Sequence, residues 1–212
     1  MFDYVTKIKQ FFRKIVSKFA RFLNNKFGEK VTPNLITYIG LVMHIPIAYF
    51  IASGSLIVAS IFLIVFGLFD TLDGELARLQ KKDSVPGMFL DASTDRFKEV
   101  ILYAGIIYYA GANHYSAIYL VFVLVALGSS LSVSYVKAKG EAAISTLQKK
   151  FSHQELNRFF SSGMLSYEVR MTLLVIGLLF NIIMPVVILI AVFSSYTVLT
   201  RLNDIMDYLK KS

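Results

Sequence analysis

The sequence contains no cysteine, which excludes disulfides and thiolate metal sites and leaves the redox compartment unreadable. Its three histidines do not cluster. Residues 1–30 carry charge throughout and hold no apolar core followed by a small-residue cleavage site, so no secretory leader is expected. There is no solenoid repeat and no low-complexity tract. Basic residues are missing from three short stretches, 53–55, 111–115 and 181–185.

What the chain does have is apolar length. Of its 212 residues, 56% are hydrophobic, and the mean hydropathy is +0.61, rare for a soluble domain of this size. Runs of about 20 apolar residues read as membrane spans, at ~1.5 Å of rise per residue across a hydrocarbon core of ~30 Å. Six segments qualify, near 33–53, 56–79, 88–111, 115–137, 168–183 and 185–206. The last two are divided only by Asn181 and Pro185, so they form either a tight hairpin or one broken helix. The expected fold is therefore an all-α integral membrane protein: a juxtamembrane helix over 1–30 and a six-helix membrane domain over 31–212.

All 22 Lys and Arg fall within 1–30, 78–98, 137–170 and 201–211. With six spans these four places share one side of the membrane, and the positive-inside rule makes that side cytoplasmic. Both termini are expected there, in a multi-pass cell-membrane protein. Residues 2–27 put Phe2, Val5, Ile8, Phe12, Ile15, Phe19, Phe22 and Phe27 at helical spacing, with Lys7, Lys14, Lys18 and Arg21 between them. Such a basic amphipathic helix suits the anionic interface; packing on its own protein is the plainer reading. Gly28 should end it. Thr32 and Pro33 cap and open the first span. A short amphipathic helix is expected in "LQKKFSHQELNRFFSSG", ending near Gly163, and Asn203–Ser212 reads as a polar tail.

The stretch "DTLDGELARLQKKDSVPGMFLDASTD", residues 70–95, interrupts this apolar pattern. On a helix, Asp70, Asp73, Ala77 and Arg78 share one face, and so do Asp91 and Asp95 on the next. The turn "KDSVPG" makes the two helices antiparallel neighbours, so the acidic faces can meet near the cytoplasmic end of the membrane. Four carboxylates together need compensation in a dry site. Hard divalent cations, Mg²⁺ or Mn²⁺, suit oxygen ligands, and no thiolate or histidine cluster competes. Two such ions would form a clamp for phosphoryl transfer. Gly74 and Gly87 leave room for a ligand to approach the backbone. The rival readings are ion pairs with Arg78 or Arg96, and a cation or proton pathway. Transporters usually repeat their broken-helix halves, and no second acidic pair exists here.

These residues resemble the signature of the CDP-alcohol phosphotransferase family, D-x2-D-G-x2-A-R-x7–8-G-x3-D-x3-D. Asp70, Asp73, Gly74, Ala77, Arg78, Gly87, Asp91 and Asp95 match every fixed position. "TPNLIT" (32–37) is similar to the family's first-span start, and six spans behind an interfacial helix match its architecture. The resemblance implies an enzyme of phospholipid biosynthesis. A CDP-linked lipid, with diacylglycerol or archaeol chains, loses CMP as an alcohol hydroxyl attacks the lipid-side phosphorus. It further implies that Asp70, Asp73, Asp91 and Asp95 hold two metal ions, Mg²⁺ or Mn²⁺, with Asp95 also the general base. Asn34, Asp73, Gly74, Ala77, Arg78 and Gly87 would hold the cytidine diphosphate. Family members are commonly homodimers, and nothing here calls for nucleic acid.

For the acceptor, Lys137 and Lys139 end the fourth span, Arg170 opens the fifth and Arg201 lies near the end of the sixth. They could form a pocket for a phosphorylated alcohol, or simply anchor helix ends by the positive-inside rule. "SYVKAKGEA" is similar to the "SYxRARAE" stretch of members acting on inositol phosphate or glycerol phosphate. Arg170 and Arg201 stand where inositol-phosphate enzymes keep phosphate-binding arginines. Lysine at 137 and 139 departs from that pattern, since it cannot bind phosphate bidentately. "YEVRMTLLVIGLL" also resembles members that join CDP-inositol to inositol phosphate. Inositol phosphate is the expected acceptor, ahead of glycerol phosphate and of serine or another small alcohol.

Overall fold

The computed structural model describes the backbone of residues 2–146 and 165–211, and the side chains of 14–146 and 165–210. Every regular element among them is helical: α1 Phe2–Phe27, α2 Pro33–Ala52, α3 Leu56–Gly67, α4 Phe69–Gln80, α5 Val85–Ala112, α6 Ala117–Ser145, α7 Tyr167–Leu179 and α8 Ile183–Lys211. The chain divides into two compact units, Met1–Gly105 and Ile106–Ser212, with the boundary inside α5.

In the first unit, α1 runs to Phe27 and Gly28 turns the chain at φ +56°, where a side chain would be strained. Thr32 caps α2 by accepting a hydrogen bond from the Leu35 amide at 3.2 Å, ahead of Pro33. α3 and α4 meet at Leu68, which keeps helical angles, so Leu56–Gln80 spans as one nearly continuous helix. Lys81 closes α4 in the left-handed conformation. α5 opens at Val85, earlier than the apolar run suggests, because Pro86 is tolerated in a first turn and Ser84 Oγ accepts from the Gly87 amide at 3.2 Å.

The core of this unit joins α1 to α2 and α4 through Val16, Ala20, Ile36, Leu72 and Leu76. α1 thus packs on its own protein through Val16, Ala20 and partly buried Leu23, while Ile15, Phe19, Phe22 and Phe27 of its apolar series remain exposed. Gln80 secures that packing: its Nε2 donates to Asn24 Oδ1 and to the carbonyls of Gly28 and Val31 at 2.9–3.3 Å. At Gly105 the backbones of α5 and α2 touch; a Cβ there would lie 2.6 Å from the Ala48 carbonyl oxygen.

In the second unit, α6 and α8 form the main pairing, with Ser130, Ser194 and Thr197 fully buried. α7 turns back onto α8 through Asn181, at φ +56°, which resolves the expected alternative in favour of a tight hairpin. Gly177 allows this approach, since a Cβ would come within 3.1 Å of Val186. Of the polar tail expected over Asn203–Ser212, residues 203–211 are instead the end of α8. Ile205, Tyr208 and Leu209 continue its apolar stripe and pack on Ile144 and Val136. The amphipathic helix expected to end near Gly163 lies outside the described residues.

Among the described residues, four helical stretches are long and apolar enough to cross a membrane: Pro33–Ala52, Leu56–Gln80, Ala117–Ser145 and Ile183–Lys210. α5 has 28 residues but carries Asp91, Asp95, Arg96, Lys98 and Glu99. α7 has 13 residues, about 20 Å at ~1.5 Å per residue.

Candidate active site

The acidic faces of α4 and α5 meet. Asp70 on α4 and Asp91 and Asp95 on α5 each bring a carboxylate oxygen within 4.8 Å of the others. Asp91 Oδ1 is buried with no hydrogen-bond partner among the described residues. A buried oxygen of this kind is costly unless something takes its lone pairs. Three hard oxygen donors converging around it fit a Mg²⁺ or Mn²⁺ ion.

Asp73 stands slightly apart from this group. Its Oδ2 accepts from Thr37 Oγ1 at 2.6 Å, and the pair is buried between α4 and α2. Thr37 also donates toward the Pro33 carbonyl at 3.2 Å. Thr37 escaped the sequence reading because a lone threonine in an apolar span is ordinary. Its signal was position, one turn after the helix start.

Lys98 is the other residue that sequence reasoning missed. It is fully buried and donates to Asp70 Oδ1 at 2.5 Å and to Asp95 Oδ1 at 3.1 Å. Its spacing from Asp95, i to i+3, already placed it on the acidic face. The ion pairs expected as a rival reading are therefore partly present: Arg96 pairs with Asp95, Arg78 with no aspartate, and Lys98 is a further partner. Arg78 pairs with Glu75 at 2.8 Å rather than with an aspartate. Arg96 pairs with buried Glu99 at 3.0 Å and reaches Asp95 Oδ2 only at 3.7 Å.

Beside the carboxylates a cleft of about 360 Å³ opens, lined among others by Asn34, Asp70, Asp73, Gly74, Ala77, Gly87 and Asp91. Five of the six residues expected to hold the nucleotide thus line one cavity. Arg78 does not line it; its guanidinium lies over Gly74, about 3.8 Å from where a Cβ would stand, half-exposed. At Gly87 a Cβ would press on Ser84 Oγ at 3.2 Å. The short residues keep the wall open.

The four expected acceptor residues lie in the second unit and fall into two kinds. Arg170 is fully buried, with Nη1 donating to the Leu165 carbonyl at 3.1 Å. Arg201 is nearly buried and ties α8 to α6 by donating to the Val133 carbonyl at 3.1 Å. Lys137 is half-exposed, 3.8 Å from Glu141, and Lys139 is exposed with its ammonium 5.7 Å from the Tyr135 ring.

The sequence profile of the CDP-alcohol phosphatidyltransferases matches residues 30–199. The chain belongs to that family. Within this CDP-alcohol phosphatidyltransferase, the matched stretch holds all eight signature residues. The phosphatidylinositol phosphate synthase of Corynebacterium glutamicum is 36% identical over 116 residues, 54% of this chain and 53% of that relative. The archaetidylinositol phosphate synthase of Methanothermobacter thermautotrophicus is 32% identical over 131 residues, 62% of this chain and 63% of that one. The chain thus spans about half to two thirds of these relatives. The crystal structure of Mycobacterium tuberculosis phosphatidylinositol phosphate synthase with CDP-DAG bound shares the fold, at TM-score 0.76 and 24% identity over 91% of this chain and 94% of that one. A second structure of the same protein is in complex with manganese and citrate, at TM-score 0.76 and 23% identity over 90% of this chain and 88% of that one.

Proposed function

We propose that this chain transfers a phosphatidyl-type group from a CDP-linked lipid to the hydroxyl of inositol phosphate, releasing CMP. The observation that carries the reading is the convergence of Asp70, Asp91 and Asp95 beside a cleft lined by the other signature residues. The relatives named for inositol phosphate products, and the related protein that binds CDP-DAG, support the choice of substrates.

Divalent ions held by Asp70, Asp73, Asp91 and Asp95, two of them in this reading, would neutralise the diphosphate and stabilise the departing CMP. The rest of the work falls to the chain. Asn34, Gly74, Ala77 and Gly87 shape the slot for the cytidine diphosphate, and Arg78, whose guanidinium lies over Gly74, serves the same ligand. The acceptor oxygen attacks the lipid-side phosphorus. The bond from that phosphorus to the bridging oxygen breaks, and the electron pair leaves on CMP. Asp95 takes the proton of the attacking hydroxyl. Arg170 and Arg201, already dehydrated, hold the acceptor's phosphate, with Lys137 and Lys139 guiding its approach.

The same reading extends to the membrane. α5 and α7 complete six spans with the four long apolar helices, and the exposed face of α1 with Ile15, Phe19 and Phe22 lies in the interface. Both termini and the cleft face the cytoplasm of a cell-membrane protein, and the working unit is a homodimer. An acceptor screen tests the substrates. Purified protein is given CDP-diacylglycerol or CDP-archaeol with Mg²⁺ or Mn²⁺, and CMP release is compared among inositol phosphate, glycerol 3-phosphate, inositol and serine. A CDP-inositol donor is included. Inositol phosphate should support the fastest release; faster release with another pair reassigns the substrates within the family.

A further inference from the structure

The buried ammonium of Lys98 is an addition to the acidic cluster that the family signature does not call for. It comes from α5, one turn beyond Asp95 and two beyond Asp91, and is fully buried. Its stem passes α2 at Gly40, whose absent side chain leaves Lys98 Cε just 4.0 Å from where a Cβ would be. Its Nζ holds Asp70 Oδ1 and Asp95 Oδ1, while the remaining member of the cluster, Asp91, keeps a buried oxygen without a partner. Lys98 therefore bonds two of the three carboxylates that converge for a metal ion, and leaves the third open.

We infer that Lys98 is a tethered cation that competes with the divalent ion for Asp70 and Asp95, holding the cluster together without metal and setting how much metal the site requires. The inference rests on the metal-binding reading of the aspartates. An ammonium and a divalent ion draw on the same carboxylate lone pairs and repel each other across a few ångströms of dehydrated space. Binding of the ion must therefore weaken the Lys98 bonds, and the Lys98 bonds must weaken the ion by the same factor. Lys98 is in this sense a positioning residue: it touches the metal ligands, not the substrate. A purely structural lysine would leave metal affinity unchanged, or lower it when lost.

The test titrates the full-length protein in lipid nanodiscs with Mn²⁺ alone, following free Mn²⁺ by electron paramagnetic resonance, for wild type, Lys98→Met and Lys98→Arg. Methionine keeps an unbranched stem and removes the charge; arginine keeps the charge. Lys98→Met should bind Mn²⁺ more tightly by roughly 5–150-fold, the usual range for coupled sites, and Lys98→Arg should stay near wild type. Lys98→Met should also melt lower than wild type without metal and gain more from Mn²⁺, since the ion then replaces the lost ammonium. Equal or weaker Mn²⁺ binding by Lys98→Met overturns the inference, and so does a Lys98→Met protein that stays unfolded even with Mn²⁺. If wild type and Lys98→Met both bind no Mn²⁺, the metal reading of the aspartates fails first and takes this inference with it.

Discussion

At the residue scale the site is a contest over carboxylate oxygens. Asp95 has one oxygen on Lys98 and the other facing Arg96 at 3.7 Å, so the base role proposed for it requires those cations to give way. Asp95→Asn should cut turnover far more than it weakens CDP-lipid binding, the mark of a group used in the transition state. Near wild-type turnover with normal donor binding would put the base elsewhere. Arg170 and Arg201 are dehydrated, a costly state for a guanidinium that a phosphate dianion can turn to advantage. Charge-assisted bonds of ~1.5–3 kcal/mol each imply that Arg201→Ala raises the acceptor KM roughly 10–150-fold and leaves the CDP-lipid KM nearly unchanged. Because Arg201 also ties α8 to α6, thermal stability is measured in parallel; lost stability with an unchanged acceptor KM would make Arg201 an anchor only. The aspartates were legible because their spacing is a fixed pattern on two helical faces. Lys98 and Thr37 were not, because one buried lysine or one span threonine means nothing until its partner across the helix interface is known.

At the element scale, helix type and most boundaries follow from local chemistry: Thr32 before Pro33, Gly28 after Phe27, Lys81 after Gln80. Two elements escaped local reading. α8 runs on through residues whose polarity suggests a tail, because Ile205, Tyr208 and Leu209 find α6. α1 shows two apolar edges, one docked through Val16 and Ala20 and one exposed, and a periodic pattern alone cannot say which edge docks. Gln80 is the pin of that docking. Gln80→Ala removes both donors of the amide, which three acceptors share, at ~0.5–1.5 kcal/mol net per hydrogen bond. It should speed amide exchange in residues 14–28 while leaving the α4–α5 cluster protected. Unchanged exchange in α1 would mean that the apolar contacts of Val16, Ala20 and Leu23 suffice by themselves.

At the scale of the whole molecule, the proposed topology rests on charge asymmetry. The absence of cysteine makes the test clean, since each introduced thiol is the only one. Cysteines at Ser55 and Asn113 should react with an impermeant reagent from outside, and one at Ser84 should not; the reverse pattern would place the cleft away from the cytoplasm. Two of the six expected spans, near 88–111 and 168–183, correspond to α5 and α7, which fall outside the four long apolar stretches because α5 carries five charged residues and α7 has 13 residues. The most direct measurement of the central claim is CMP release from CDP-diacylglycerol in the presence of inositol phosphate, for wild type and Asp91→Asn, with and without a chelator. The account predicts release by wild type that depends on added Mg²⁺ or Mn²⁺ and stops with the chelator. Asp91→Asn should be slower by roughly 10²-fold or more, as for the loss of one preorganised electrostatic group, while remaining folded. Metal-independent release, or a folded Asp91→Asn protein that keeps the wild-type rate, would contradict it.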